Sequence, residues 1–152
     1  MIYLKDDITL GELKVFFETM KDADVEEFEA LMGHSLFNMP ASYLLDQTSV
    51  VVGKAKDQEH VLGLGGVNPE GVIWFIPTTK LPWFSTEFLR FSKRYLKELL
   101  AIYPRLYNLA YLKNETHIRW LKWLGATWQA TRGDFQSFEF TRKEETDCGD
   151  GD

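Results

Sequence analysis

The sequence predicts one α/β (α+β) domain, a mixed, twisted β-sheet flanked by helices on both faces. Three observations carry this. Apolar residues recur at helical spacing in four stretches and in strand-like runs in seven, in the order β-α-α-β-β-β-α-β-α-β-β, and strands alternating with helices build layered sheets. The 152 residues are one domain's worth, enough to bury a core without a metal or a disulfide. The stretch from Arg105 to Ala126 reads as a strand, a turn at Lys113-Asn114 and a helix that stops at Gly125. The domain is expected over residues 1–142, with residues 143–152, charged and without periodicity, as an acidic disordered tail.

Met1 to Leu4 is a short apolar strand. Thr9 and Glu12 form a T-x-x-E capping box ahead of Leu13, Phe16, Phe17 and Met20, which fall at i, i+3, i+4 and i+7 of a first helix. Asp24 and Glu27 are placed to open a second helix in the same way, with Val25, Phe28, Leu31 and Met32 inward and Gly33 as its stop. From His34 to Gln47 the pattern is irregular, and Asn38 and Pro40 mark loop. Three strands follow, Ser49 to Ala55, Val61 to Val67 and Val72 to Thr78. The polar gaps between them, Lys56 to His60 and Asn68 to Gly71, favour antiparallel hairpins.

Ser85 or Thr86 caps a long helix that carries Phe88, Leu89, Leu96, Leu99 and Tyr103 on one face and ends at Pro104. In the helix after Lys113, Asn114 is the expected N-cap, its side-chain oxygen accepting from first-turn N–H groups. Ile118, Leu121 and Leu124 form that helix's apolar face, with Trp120 and Trp123 on its flank. Ala126 to Thr131 and Phe135 to Thr141 read as a final hairpin across Arg132-Gly133-Asp134.

Composition excludes several classes. A net charge of −6 argues against a phosphate-driven nucleic-acid binder, although it leaves room for a local basic patch. No apolar run has bilayer-spanning length, and the start MIYLKDD lacks the basic-then-apolar layout of a secretion signal. Cys148 is the only cysteine, so no internal disulfide forms. His34, His60 and His117 are far apart in sequence and no C-x-x-C or H-x-x-x-H spacing joins them, so no metal site is expected. The chain reads as soluble, not secreted, with no membrane or nucleic-acid partner.

The segment Asn114-Glu115-Thr116-His117-Ile118-Arg119-Trp120-Leu121-Lys122-Trp123-Leu124-Gly125-Ala126 resembles the last strand–helix unit of the GNAT acyltransferases, with a pattern near N-x-x-A-x-x-L-Y-x-x-x-G-F. Asn114 and Gly125 match; His117 replaces the small residue, Leu121 the tyrosine general acid and Ala126 the phenylalanine. The same wording is similar to the GNAT-like internal virion or assembly proteins of short-tailed coliphages. The element order matches the GNAT layout over nearly the whole chain. The resemblance implies a sheet whose two central parallel strands splay apart, here lined by Phe75-Ile76-Pro77-Thr78 and Leu109-Ala110-Tyr111, with acetyl-CoA in the notch.

A GNAT enzyme holds the cofactor's pyrophosphate on backbone N–H groups of a glycine-containing loop at a helix N-terminus. The matching stretch, Thr78 to Glu87, contains no glycine; Pro82 lacks an N–H, Trp83 and Phe84 are bulky, and Glu87 sets a carboxylate where phosphate would lie. If a cofactor is held, Ile76, Thr78, Lys80, Ser85, Thr86 and Asn114 are the positions that would hold it. For acid–base work Tyr111 is the substitute acid, and Glu70, Glu59 or His60 are candidate bases at hairpin ends. The plainer reading makes Tyr111 a core-edge residue and the others solvated turn residues. His117 is a proton shuttle or partner-binding imidazole, or else a first-turn helix histidine bonded to a nearby carbonyl.

Five tryptophans add a further clue. Trp120 and Trp123 do not both fit the inward stripe of their helix, so one faces the notch or a partner, and Trp83-Phe84 beside Pro82 is a second candidate contact patch; the ordinary alternative is that these aromatics plug a vacated cofactor notch. The resemblance implies two alternative functions. One is a phage protein with a degenerate cofactor site and no bound acetyl-CoA, working in virion assembly or as an internal virion protein, in the host cytoplasm or virion interior, through contacts with a phage structural or host protein. The other is an acetyl-CoA-dependent N-acyltransferase with a divergent pyrophosphate loop, acting on a protein or small-molecule amine.

Overall fold

The computed structural model describes residues 1–33 and 49–142. The expected loop from His34 to Gln47, the expected acidic tail over residues 143–152 and the side chain of Met32 lie outside the described residues. The elements run β1 (Ile2–Lys5), α1 (Leu10–Thr19), α2 (Asp22–Met32), β2 (Ser49–Ala55), β3 (Gln58–Val67), β4 (Ile73–Pro77), a 3-10 turn (Leu81–Phe84), α3 (Ser85–Ile102), β5 (Arg105–Tyr111), α4 (Glu115–Leu124), β6 (Thr127–Arg132) and β7 (Phe135–Thr141).

The strands form two antiparallel sheets, ordered β1-β2-β3-β4 and β5-β7-β6. They meet at a parallel bridge between Val72 and Tyr107. The Tyr107 N–H donates to the Gly71 carbonyl at 2.9 Å and Asn108 Nδ2 donates to the Ile73 carbonyl at 2.8 Å. Past this join β4 and β5 part into a wedge. Gly71 permits the close approach: its φ is +97°, and a Cβ there would lie 2.4 Å from the Arg105 carbonyl oxygen.

Three apolar clusters pack the sheets, and the second and third wall the wedge. Leu13 and Phe16 of α1 pack on Val50, Val52, Leu64 and Ile76 on one face of the four-stranded sheet. On the other face Val51 and Leu62 meet Phe84 and Phe88. The three-stranded sheet contributes Leu106, Phe138 and Phe140 to a cluster with Leu96 and Leu99 of α3 and Leu121 of α4.

Local chemistry explains most boundaries. The Thr9–Glu12 capping box forms, and Gly33 and Gly125 close α2 and α4 in the left-handed conformation. Three expectations are corrected. The second helix begins at Asp22 behind Lys21, with no side-chain cap, because Asp24 and Glu27 turn toward α4 instead. The β2–β3 turn shrinks to Lys56-Asp57, both at positive φ, so β3 starts at Gln58. On α3, Ser92 rather than Leu89 joins Phe88, Leu96 and Leu99 inward, and Leu89 is exposed.

Candidate functional site

At the C-terminal end of β5, α2 and α4 face each other across the wedge and place six polar side chains together. Glu27 is buried at its centre. It accepts from Asn114 Nδ2 at 2.8 Å and from the Tyr111 N–H at 3.3 Å, and it lies 3.0 Å from His117 Nδ1. Asn114 Nδ2 also donates to Asp24 Oδ1 at 2.9 Å, and the Tyr111 hydroxyl donates to Glu26 Oε2 at 2.8 Å. Asn114 stands at the N-cap of α4, but its side chain makes no cap bond, since its amide is held by the two α2 carboxylates.

Charge follows from this packing. Burial pushes the Asp24 carboxyl above the ordinary aspartate range, against the lowering pull of the Asn114 hydrogen bond. The hydrogen bond to Glu26, reinforced by burial, raises Tyr111, so its proton is held more tightly than an ordinary phenol's. Such a hydroxyl is a poor donor to a leaving thiolate.

Five backbone N–H groups between β4 and the start of α3 are taken by protein acceptors. The Thr79 N–H donates to the Thr19 carbonyl at 2.7 Å, and the Lys80 N–H to Thr78 Oγ1 at 3.2 Å. Leu81 donates to Thr78 and Trp83 to Lys80, each at 3.2 Å, and Ser85 donates to Pro82. Pro82 has no N–H to offer. Glu87 in the first turn of α3 pairs with the Met1 amine at 2.9 Å, and Lys80 lies over the Trp83 ring at 4.3 Å. A phosphate cradle needs free, converging N–H donors. This loop presents a carboxylate and a bulky indole in their place, so it does not fit the pyrophosphate of a CoA.

Trp120 closes the space between α3 and α4. Its ring centroid lies 5.8 Å from Phe75 of β4, 5.6 Å from Phe88 of α3 and 6.0 Å from His117, and Nε1 donates to Ser92 Oγ at 3.3 Å. One turn along, Lys93 of α3 sits over Trp123 of α4 at 4.7 Å. A cavity of about 650 Å³ nevertheless runs through the wedge, from Asp24, Glu27 and His117 to an aromatic wall that includes Phe75, Phe88 and Trp120.

The structure brings Tyr111, His117 and Asn114 together and sets Glu70 apart. Glu70 is exposed in the β3–β4 turn, its N–H bonded to Asn68 Oδ1 at 3.0 Å, at the opposite end of β5, a run of about 20 Å at strand rise. Glu59 is bonded to the Tyr3 hydroxyl and His60 packs on Trp83 and Phe84, both away from the wedge. Ile76 is buried beside the wedge. Thr78 is fully buried and donates to the Val61 carbonyl at 2.7 Å, so its hydroxyl does not face a ligand. Ser85 and Thr86 are exposed at the start of α3. Asp24, Glu26 and Glu27 are functional candidates the sequence reading missed. Their signal is spacing: Asp24, Glu27, Phe28 and Leu31 fall at i, i+3, i+4 and i+7, which sets two carboxylates on the inward stripe of α2. Among the described residues no cluster of His, Cys, Asp or Glu could hold a metal, and no helix is long and apolar enough to cross a membrane.

Two antiparallel sheets joined at one parallel bridge and parted into a wedge, with a long helix after β4 and another after β5, make this a GNAT-fold protein. The solved structures agree. A GNAT-family acetyltransferase from Bacillus anthracis superposes with a TM-score of 0.66 at 10% identity, covering 92% of this chain and 94% of that one. A domain from Methanocaldococcus jannaschii gives 0.65 at 13% identity, covering 93% and 99%. Spermidine N-acetyltransferase from Vibrio cholerae, in complex with CoA and spermine, gives 0.59 at 15% identity, covering 92% and 95%. These identities establish likeness of fold alone. The family is given by sequence: the model for bacteriophage T7 probable scaffold protein Gp13 matches residues 49–131, and the chain belongs to that family. No curated protein matches it.

Proposed function

We propose that the chain is a phage assembly protein that keeps the GNAT fold without its cofactor and works through contacts with a phage structural or host protein, in the host cytoplasm or virion interior. One observation carries this: the N–H groups of Thr79, Lys80, Leu81, Trp83 and Ser85 are all taken by protein acceptors, which withdraws five of the loop's backbone donors from a pyrophosphate. Membership of a scaffold-protein family supports the same reading. A contact face is available beside that loop. Trp83 is 68% exposed, propped by Lys80 and His60, and across a shallow groove α1 presents the exposed Val15. An exposed tryptophan beside a groove is a common anchor of protein interfaces.

Calorimetric titration with CoA and acetyl-CoA, paired with a thermal-shift scan, tests it. A ligand that binds only the folded chain raises the melting temperature once its concentration exceeds Kd, so no heat and no shift are expected up to about 1 mM. Micromolar binding would overturn the reading. The second reading, an N-acyltransferase acting on a protein or small-molecule amine, is favoured by the wedge cavity of about 650 Å³, a size suited to small molecules, with His117 and Glu27 at one end. The same titration separates the two.

A further inference from the structure

Charge is segregated in this acidic chain. Residues 81–142 carry ten Lys and Arg against five Asp and Glu, although the whole sequence is −6. Four of those cations, Arg90, Lys93, Arg94 and Lys97, fall at i, i+3, i+4 and i+7 of α3, a single stripe opposite the buried Phe88, Ser92, Leu96 and Leu99. All four are exposed, and none takes part in a salt bridge among the described residues. Lys93 and Arg94 rest on the rings of Trp123 and Phe91 instead. Of the two acids on α3, Glu87 is engaged by the Met1 amine and Glu98 lies at the stripe's edge. Like charges one turn apart repel, so an uncompensated stripe of four gains from an anionic cover.

The last described residue, Arg142, lies against the end of this helix. Arg142 follows the end of β7, and its Nε donates to the Leu100 carbonyl at 2.7 Å while Nη2 donates to the Ala101 carbonyl at 3.3 Å, in the last turn of α3. The Arg142 N–H also donates to the Pro104 carbonyl at 3.2 Å, so Arg142 sits at the C-terminal end of α3, the end at which the stripe finishes with Lys97. Residues 143–152 then add Glu144, Glu145, Asp147, Asp150 and Asp152 against Lys143 alone. Ala101 to Arg90 spans about 16 Å of helix, and ten extended residues reach about 33 Å, twice what is needed.

We propose that the acidic segment 143–152 docks back along α3 and covers the stripe of Arg90, Lys93, Arg94 and Lys97. Each exposed ion pair is weak alone. A segment tethered at the foot of the stripe, however, faces it at an effective concentration in the millimolar range, so weak pairs suffice for occupancy. The cover is electrostatic, hence displaceable by salt or by a more acidic surface, and it keeps a basic face from presenting itself to nucleic acid. Neither the stripe nor the segment's charge depends on whether the wedge binds CoA.

Cys148, the only cysteine in the sequence, provides the probe, because a nitroxide attached there reports proximity without any substitution. In the ¹⁵N-labelled full chain at low ionic strength, the amide signals of Arg90 to Lys97 and the indole signal of Trp123 should broaden and be lost, while those of β1 and β2 stay sharp. Raising salt to about 0.5 M, where the Debye length falls to a few ångströms, should restore them. So should the fourfold neutral variant Arg90→Gln, Lys93→Gln, Arg94→Gln, Lys97→Gln, which changes exposed positions only and keeps the fold, as its spectrum would show. Broadening spread evenly over the surface, centred elsewhere, or insensitive to salt would overturn the proposal. Broadening seen equally in a mixture of unlabelled spin-labelled chains with ¹⁵N-labelled chains lacking the probe would also overturn it, since the segment would then dock between molecules.

Discussion

His117 Nδ1 lies 3.0 Å from Glu27 Oε1, and this pair ties α4 to α2 across the wedge between two sheets that, among the described residues, share one bridge. Glu27 also accepts from Asn114 Nδ2 and from the Tyr111 N–H, so three donors converge on one buried carboxylate. Removing it would strand buried donors as well as break a pair. Glu27→Ala should therefore cost about 3 kcal/mol of stability by chemical denaturation, well above the cost of an exposed ion pair. A loss under about 1 kcal/mol would show that water replaces the carboxylate and that the cluster does not hold the helices.

Asp24 gives the cluster a pH signature. Its folded carboxyl titrates above the unfolded value because burial disfavours the charge. For an acid shifted upward, the folded state binds the proton more tightly than the unfolded state, so this group's contribution is fully present below the unfolded pKa and is lost as pH rises through the folded one. Asp24→Asn removes the dependence while leaving an oxygen to accept from Asn114. The difference in melting temperature, variant minus parent, should rise from about pH 4 toward neutrality. Glu12 and Glu139, held below the ordinary glutamate range, give the opposite slope but are common to both proteins and cancel in the difference.

The fold was largely legible in the sequence because it rests on local signals. The Thr9–Glu12 box, the stops at Gly33 and Gly125 and the apolar runs of β2 to β4 bounded by polar turn residues each act within a few residues. The site was less legible because its pairs join residues 84 to 90 apart in sequence. Asp24 and Glu27 have the spacing of a helix start, and only the facing helix decides that they pair across instead of capping. Likewise the lack of glycine in the β4–α3 loop was visible, whereas its amides being taken by Thr19, Thr78, Lys80 and Pro82 was not.

Gly71 tests the join itself. Its positive φ and the 2.4 Å approach of the Arg105 carbonyl leave no room for a methyl group, and the Gly71 carbonyl holds the Tyr107 N–H. Gly71→Ala adds left-handed strain to a backbone clash and should cost about 3 kcal/mol, with amide exchange rising first at Val72 and Tyr107. Ordinary stability for this variant would mean the two sheets can separate there without penalty.

Trp83 separates contact from stability. Its indole is 68% exposed and rests on Lys80 and His60, so Trp83→Ser should change stability by no more than about 0.5 kcal/mol. If the groove beside it is an assembly contact, the variant should still fail to support particle formation when it replaces the parent chain in an infected host. Full complementation by a stably folded Trp83→Ser protein would remove this face from consideration.

Trp120 and the β4–α3 loop are two separate obstacles to a cofactor, and substitution ranks them. Trp120 packs on Phe75, Phe88 and His117 and donates to Ser92, so Trp120→Ala should cost about 2–3 kcal/mol, below the range for a fully buried tryptophan because the ring is partly exposed. It would also widen the passage between α3 and α4. The donors that a pyrophosphate requires would still be bonded to Thr19, Thr78, Lys80 and Pro82, and Glu87 would still stand in the first turn. Widening an apolar passage supplies no phosphate contacts, so Trp120→Ala should bind CoA no better than the parent in the same titration. If the variant gained micromolar affinity, the indole alone would be the block. The loop would then have to rearrange on binding, and the chain would be an acyltransferase held shut by one side chain.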